Sequence, residues 1–171
     1  MSLVLFTCMV GLIIAPNHVS YLNSVLSLIA VALGAGAAGT LNMWYESDLD
    51  ALMTRTCLRP IPTGQVTKNQ ALFFGVLLSI GSISLLYFSS NLISASLLLL
   101  TICFYFFVYT IWLKRRTPQN IVIGGAAGAL PPVIGWTIAT GSLSIEPLIL
   151  FLIIFLWTPS HFWALSIYKS N

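Results

Sequence analysis

The sequence predicts an all-α fold, a polytopic bundle of transmembrane helices. Of the 171 residues, 58% are hydrophobic and only 6% are charged, whereas about a quarter of the residues in a soluble domain carry a charge. The hydrophobic residues also fall into long runs that short polar turns separate. These observations exclude a water-soluble globular domain.

Apolar runs of sufficient length give six predicted spans, because a bilayer core about 30 Å thick requires about 20 apolar residues per helix. Five runs reach that length. The first is only about thirteen residues long and lacks the basic start of a signal peptide, so we interpret it as a clipped first helix. The predicted spans are residues 3–15, 22–44, 71–88, 92–113, 121–140 and 148–167.

The basic residues predict how the spans are oriented. All seven Lys and Arg residues follow the second, fourth or sixth span, so they share one side of the membrane. The positive-inside rule assigns that side, with both termini of the chain, to the cytoplasm. Since no organelle presequence is visible, we expect a multi-pass protein of a bacterial inner membrane, with a mitochondrial membrane as the alternative.

Charge and cysteine usage argue against several other functions. A net charge of +3, spread over short groups, is too small for a nucleic-acid surface. Cys8, Cys57 and Cys103 are odd in number and far apart, which disfavours a disulfide framework or a zinc site. No charged residue occupies the middle of a predicted span, and this disfavours a transporter.

Small residues and prolines mark the second and fifth spans. Residues 34–39 and 124–128 are rich in Gly and Ala, whose small size lets helices approach closely, so we expect tight packing there. Corresponding helices of two related halves are the alternative explanation. Pro131 and Pro132 are expected to break the fifth span, because they remove amide donors and clash with the preceding turn.

An acidic cluster after the second span is the most informative feature of the sequence. Three of the four acids, Glu46, Asp48 and Asp50, lie within five positions. If the helix continues, Asn42, Glu46 and Asp50 share one face and Asp48 points away. Stacked carboxylates repel one another, so this face predicts a shared cation. Hard oxygen ligands suit Mg²⁺, which proteins usually bind together with phosphate.

Two arginines follow the acidic cluster and suggest that the cation would bind together with an anion. Arg55 and Arg59 lie a few residues further on, and we expect them to bind the same phosphate-bearing anion. The alternative is a solvated loop in which the acids and bases simply pair with one another. This segment on its own leaves both interpretations open.

These segments resemble a known family, the intramembrane prenyltransferases of the UbiA type, and within it the haem O synthase branch. The sequence Asn42-Met-Trp-Tyr-Glu46-Ser-Asp48-Leu-Asp50 is similar to the family motif Asn-Asp-x2-Asp-x3-Asp, although Met43 replaces an acid. The segment 53–64 resembles Met-x-Arg-Thr-x2-Arg-Pro of that branch. Further similar blocks are residues 109–115, 117–125, 128–132, 134–136 and 157–165.

The resemblance covers nearly the whole chain and implies a fold. We expect residues 1–171 to form a single membrane domain, six spans of a nine-helix bundle, with a cytoplasmic motif loop at residues 42–68. The family has a basic stretch before its first helix and a second acidic motif after its sixth span. We therefore expect the chain to be clipped at the N-terminus and truncated at the C-terminus. It would then be an active enzyme, an inactive remnant, or one piece of a split prenyltransferase.

The resemblance also implies a reaction. A farnesyl group would pass from farnesyl diphosphate to a vinyl group of haem B, which gives haem O for terminal oxidases. The protein partners suggested are haem A synthase and a separate C-terminal fragment. A different prenyl acceptor, such as an aromatic acid, is the alternative, against which the His161-Phe162-Trp163 block argues.

Each predicted site residue takes a role from this resemblance. Asn42, Glu46 and Asp50 would be catalytic residues that hold Mg²⁺. Tyr109 would stabilise the allylic carbocation or orient the diphosphate, or else anchor the helix at the membrane interface. His161 would ligate the haem iron, or else serve as a packing histidine. The diphosphate would be bound by the cations Arg55, Arg59, Lys114 and Arg115.

Overall fold

The computed structural model describes residues 2–114, 116–117 and 119–169, apart from the side chains of Ser166 and Lys169. All regular secondary structure within these residues is helical, as predicted. The elements are α1 (Ser2–Ile14), α2 (Tyr21–Tyr45), α3 (Ser47–Leu52), α4 (Lys68–Ser89), α5 (Leu92–Cys103), a π-helical segment (Phe104–Leu113), α6 (Asn120–Ala129), α7 (Pro131–Thr140) and α8 (Ile145–Lys169).

The described residues contain five helical stretches that are long and apolar enough to cross a membrane, and α1 is a shorter apolar helix. This agrees with the division predicted from the sequence, in which only the first run was too short. The five stretches are Tyr21–Tyr45, Lys68–Ser89, Leu92–Leu113, Asn120–Thr140 and Ile145–Leu165.

Side-chain caps fix where two of the long helices begin. Thr67 and Gln70 form a capping box at the start of α4. The Thr67 amide donates to Oε1 of Gln70 at 3.0 Å, and the Gln70 amide donates to Oγ1 of Thr67 at 3.3 Å. Oδ1 of Asn91 accepts a hydrogen bond from the Ser94 amide at the start of α5, at 2.9 Å. These caps satisfy amides that have no partner inside the helix.

The predicted break in the fifth span is confirmed. Helix α6 ends at Ala129, and Pro131 and Pro132 are the first two residues of α7. Proline is tolerated at this position because the first amides of a helix have no intrahelical acceptor. Helix α7 continues the span after the break, and most of its residues are buried.

Small residues determine how closely some of the helices approach. A Cβ atom on Gly34 would lie 2.8 Å from Leu98, and one on Gly11 would collide with the carbonyl of Pro132, where α1 crosses α7. Gly39 instead faces open space. The expected tight packing is therefore present, but not along the whole Gly-Ala run.

A layer of small polar side chains joins the helix ends at one face of the bundle. The hydroxyls of Ser27 and Ser89 lie 3.0 Å apart, and Nδ2 of Asn91 donates to the carbonyl of Thr137 at 2.8 Å. The hydroxyl of Ser94 donates to Oγ1 of Thr137 at 3.0 Å. These bonds connect the first half of α2, the turn between α4 and α5, and the last turn of α7. The acidic cluster, at the other end of α2, therefore lies at the opposite face.

Candidate functional site

The site begins where α2 ends. Helix α2 stops at Tyr45, and α3 begins at Ser47, with Glu46 between them at φ −95° and ψ 9°. The helical hydrogen bonds nevertheless continue, because the Glu46 amide donates to the Asn42 carbonyl and the Asp50 amide donates to the Glu46 carbonyl. The i, i+4, i+8 spacing is thus retained across the break.

This spacing buries one side of the acidic cluster. Asn42, Glu46 and Asp50 are 7%, 3% and 4% exposed, whereas Asp48 is exposed. The prediction that Asp48 points away from the other two acids is therefore confirmed. Two carboxylates held this far from water need compensating charges nearby.

Two cations supply the compensating charges. Nζ of Lys114 donates to Oε2 of Glu46 at 2.5 Å, and NH1 of Arg59 donates to Oδ2 of Asp50 at 2.7 Å. The sequence left open whether the acids share a cation or pair with the bases in a solvated loop. The acids do pair with bases, as the second interpretation states, and the loop after α3 is largely exposed, but the two paired carboxylates are themselves buried.

The loop after α3 turns back on itself and so brings Arg59 to Asp50. The hydroxyl of Thr56 donates to the Asp50 carbonyl at 3.1 Å, and the amides of Thr56 and Cys57 both donate to the carbonyl of Met53. Thr56 is buried, whereas most of its neighbours are exposed. The Thr56 hydroxyl thus connects this turn to Asp50, the last residue of the buried face formed by Asn42, Glu46 and Asp50, which we call the acidic face.

The π-helical segment provides the wall opposite the acids. It pairs with α2 in register, because Asn42 contacts Thr110 and, four residues later on each helix, Glu46 contacts Lys114. The Lys114 amide donates to the carbonyl of Tyr109, five residues back, which extends the π-type winding to Lys114. Segments of this kind are rare and often lie at functional sites.

Thr110 is the residue of this wall that the sequence analysis missed. It is fully buried, and its Oγ1 accepts a hydrogen bond from Nδ2 of Asn42 at 3.1 Å. The only signal in the sequence is that Thr110 precedes Lys114 by the same four positions that separate Asn42 from Glu46. That signal has meaning only once the two helices are known to be neighbours.

The structure places Tyr109 beside Lys114, one of the two paired cations. Its ring packs on the ring of Tyr105 with centroids 5.1 Å apart, and Nζ of Lys114 lies 5.9 Å from the Tyr109 centroid. The ring also lies against Gly124, where a Cβ atom would lie 2.6 Å from Cε2. A glycine in α6 thus provides the space that the tyrosine ring occupies.

The other predicted site residues are not seen at the acidic face. Arg55 is exposed in the loop after α3. Arg115 lies outside the described residues. His161 is half-buried on α8, and its ring stacks on Trp157 with centroids 4.4 Å apart and meets the edge of Phe162. All three cysteines are free, with Cys8 buried.

The donor set at the acidic face suits a hard cation only in part. Among the described residues, no three His, Cys, Asp or Glu side chains are grouped so as to hold a metal. The face offers two carboxylates and one amide, and Oε1 of Glu46 is buried without a hydrogen-bond partner in the described part of the chain. Magnesium is commonly held by one or two carboxylates and completes its shell with water and phosphate oxygens. The residues therefore fit Mg²⁺ that arrives with a phosphate-bearing ligand.

Comparisons with known proteins agree with the motifs. Residues 4–170 match the UbiA prenyltransferase family. Similar proteins include the protoheme IX farnesyltransferase of Pelagibacter ubique, 72% identical over 171 residues, which are 100% of this chain and 56% of that protein. The protoheme IX farnesyltransferase 2 of Mesorhizobium japonicum is 59% identical over 171 residues, 100% of this chain and 54% of that protein. The protoheme IX farnesyltransferase of Ehrlichia ruminantium is 60% identical over 167 residues, which are 98% of this chain and 57% of that protein.

The chain spans about half the length of the curated relatives it matches. No solved structure matches it.

Proposed function

The chain belongs to the UbiA prenyltransferase family, and we propose that it is the enzyme, or part of the enzyme, that farnesylates haem B to give haem O. The donor and acceptor are suggested by the similar proteins, which are named protoheme IX farnesyltransferases. The observation that carries the proposal is the buried acidic face with a cation on each carboxylate. Such a face offers ligands both for a divalent metal and for a diphosphate.

We propose that α1 and the five longer stretches cross a bacterial inner membrane as part of a nine-helix bundle, in one membrane domain over residues 1–171. The motif loop at residues 42–68 would then face the cytoplasm with both termini. In support, Arg59 and Lys114 both reach the acidic face at the end of α2, so the basic groups after the second and fourth spans lie together.

Asn42, Glu46 and Asp50 would hold Mg²⁺, which when bound would stabilise the negative charge that develops on the departing diphosphate. The chain's own cations have a second task. When diphosphate binds, Lys114 and Arg59 are expected to turn from the carboxylates toward the phosphate oxygens, because bidentate and charge-assisted bonds to phosphate are strong. Both cations are about one third exposed, so they can move without leaving a packed core. Arg55 and Arg115 would add further positive charge.

The reaction breaks the bond between C1 of the farnesyl group and the diphosphate oxygen, and diphosphate leaves with the electron pair. C1 then bonds to the terminal carbon of a haem vinyl group, and water adds to the other vinyl carbon and loses a proton. The face of Tyr109 would stabilise the allylic cation before the new bond forms. The apolar walls of the bundle would keep bulk water from capturing it first.

For haem, His161 is the proposed iron ligand, since a neutral imidazole binds iron through a ring nitrogen. Its ring contacts those of Trp157 and Phe162 in the second half of α8, and Trp157 and Trp163 are more than half exposed. Flat exposed rings beside an imidazole suit a porphyrin plane. Haem A synthase and a separate C-terminal fragment remain the proposed protein partners.

The test is an assay of the 171-residue chain in lipid nanodiscs with haem B, farnesyl diphosphate and Mg²⁺, with product mass as the readout. Asp50→Asn should abolish haem O formation. Asp48→Asn, a matched change at an exposed acid two residues away, should not. Product from 4-hydroxybenzoate but not from haem B would replace the proposed acceptor. No product from the wild-type chain would show that it is not an active enzyme by itself and would leave the inactive remnant and the split piece.

A further inference from the structure

The contact between α2 and the π-helical segment contains a hydroxyl whose hydrogen bonds decide how an amide is oriented. Oγ1 of Thr110 lies 2.9 Å from the carbonyl of Tyr105 and 3.1 Å from the Asn42 amide. A hydroxyl has one proton, and a backbone carbonyl can only accept. The Thr110 proton is therefore committed to Tyr105.

Because the Thr110 proton is used in the bond to Tyr105, the orientation of the Asn42 side-chain amide is fixed. Because Thr110 has only lone pairs left to offer, Asn42 must present its NH₂ group to Thr110 and direct its carbonyl oxygen the other way. The opposite orientation would place two acceptors against each other in a site where Asn42 is 7% and Thr110 0% exposed. Water is not at hand there to satisfy them.

The π-helical winding creates this arrangement. In an α-helix, a threonine hydroxyl usually bonds to the carbonyl four residues back, as Thr101 does with Leu97 at 2.7 Å. In the π-helical segment, Thr110 reaches the carbonyl five residues back, that of Tyr105. The wider turn places Thr110 level with Asn42 and Lys114 level with Glu46.

We propose that Thr110 is a positioning residue, whose hydroxyl holds the Asn42 amide so that its oxygen rather than its nitrogen faces the divalent metal. This inference rests on the proposed function, since it requires a metal and a diphosphate at the acidic face. An NH₂ group cannot ligate a cation, so a rotated amide would both lose a ligand and turn two donors toward the metal. Partners that orient a metal ligand are commonly worth about 10- to 100-fold in metal affinity.

The test measures Mn²⁺ binding by electron paramagnetic resonance, with inorganic diphosphate present, for the 171-residue chain in nanodiscs. Thr110→Val keeps the shape of the side chain and removes the hydroxyl, and it should weaken Mn²⁺ binding by about tenfold or more. Thr110→Ser keeps the hydroxyl and should restore binding to within about twofold of wild type. If wild type binds Mn²⁺ and Thr110→Val binds it equally well, the role proposed for Thr110 is wrong, and the proposed function is unaffected.

Two controls separate positioning from general stability. Thr137→Val removes another fully buried hydroxyl that bridges two helices, 3.0 Å from Ser94 at the other end of the bundle, and should leave Mn²⁺ binding unchanged. In the Asn42→Asp background, Thr110→Val should have no further effect, because either oxygen of a carboxylate can face the metal. A loss in that background as large as in wild type would show that Thr110 acts only on the fold. A wild-type chain that binds no Mn²⁺ with diphosphate would overturn the proposed function itself, and this role with it.

Discussion

Removing the cation from one buried carboxylate should destabilise the protein measurably. Glu46 is 3% exposed and holds Lys114 at 2.5 Å, so Lys114→Met would leave the carboxylate with no counter-charge at that oxygen. Breaking a fully buried pair costs about 3–5 kcal/mol. The Lys114 side chain is 35% exposed, so water can partly replace it. We therefore expect a loss of roughly 2–3 kcal/mol in unfolding free energy, about 30- to 150-fold in the folded to unfolded ratio.

The measurement is unfolding by SDS in mixed micelles, followed through the fluorescence of the five tryptophans. Lys68→Met serves as the matched control, because Lys68 is exposed at the start of α4, and its change should be within about 0.5 kcal/mol. Adding Glu46→Gln to Lys114→Met should recover most of the loss, since no unpaired charge remains. Equal stability of Lys114→Met and wild type would show that the ion pair contributes nothing, and the reasoning about the buried site would be wrong.

Three further predictions concern the proposed reaction. Gly124→Ala should displace the Tyr109 ring and lower the rate of farnesyl transfer at least several-fold. The control is Gly128→Ala, which lies in the same helix but faces open space and should leave the rate unchanged. Equal rates in the two variants would show that Tyr109 has no role in the mechanism. Chelation of divalent metal should weaken binding of inorganic diphosphate by about tenfold or more in calorimetry, and identical binding with and without metal would argue against Mg²⁺ at the acidic face. His161→Ala should shift the Soret band of the haem complex, and an unchanged spectrum would reject iron ligation.

The spans could be predicted from the sequence because a single physical requirement dominates them. A backbone inside lipid must satisfy its own hydrogen bonds, so every crossing segment is a long apolar helix, visible as a run of the right length. The break at Pro131 was equally predictable, since proline acts through its own ring and missing amide. That Asn42, Glu46 and Asp50 share one face, from which Asp48 points away, likewise followed from helical spacing, although the spacing did not predict that this face is buried.

The π-helical segment and the choice of partners in the ion pairs could not be predicted in this way. The residues 104–113 read as an ordinary apolar helix, and their wider winding depends on what they pack against. Arg59 and Lys114 were expected to bind an anion, but the structure pairs each with an acid, across 9 and 68 positions of sequence. The Lys114–Glu46 pair depends on the packing of α2 against the π-helical segment, and the Arg59–Asp50 pair depends on the turn of the loop after α3. Local spacing carries no information about either. Thr110 went unnoticed for the same reason.

The equal numbers of acids and cations at the site have a consequence for binding. A metal that binds alone would draw Glu46 and Asp50 toward itself and leave Lys114 and Arg59 facing its positive charge. A diphosphate that binds alone would take the two cations and leave two buried carboxylates unpaired, at a cost of several kcal/mol each. When both bind, every charge has a partner of opposite sign. Each ligand should therefore raise the affinity for the other, by the same factor in both directions, and the site would release diphosphate and metal together.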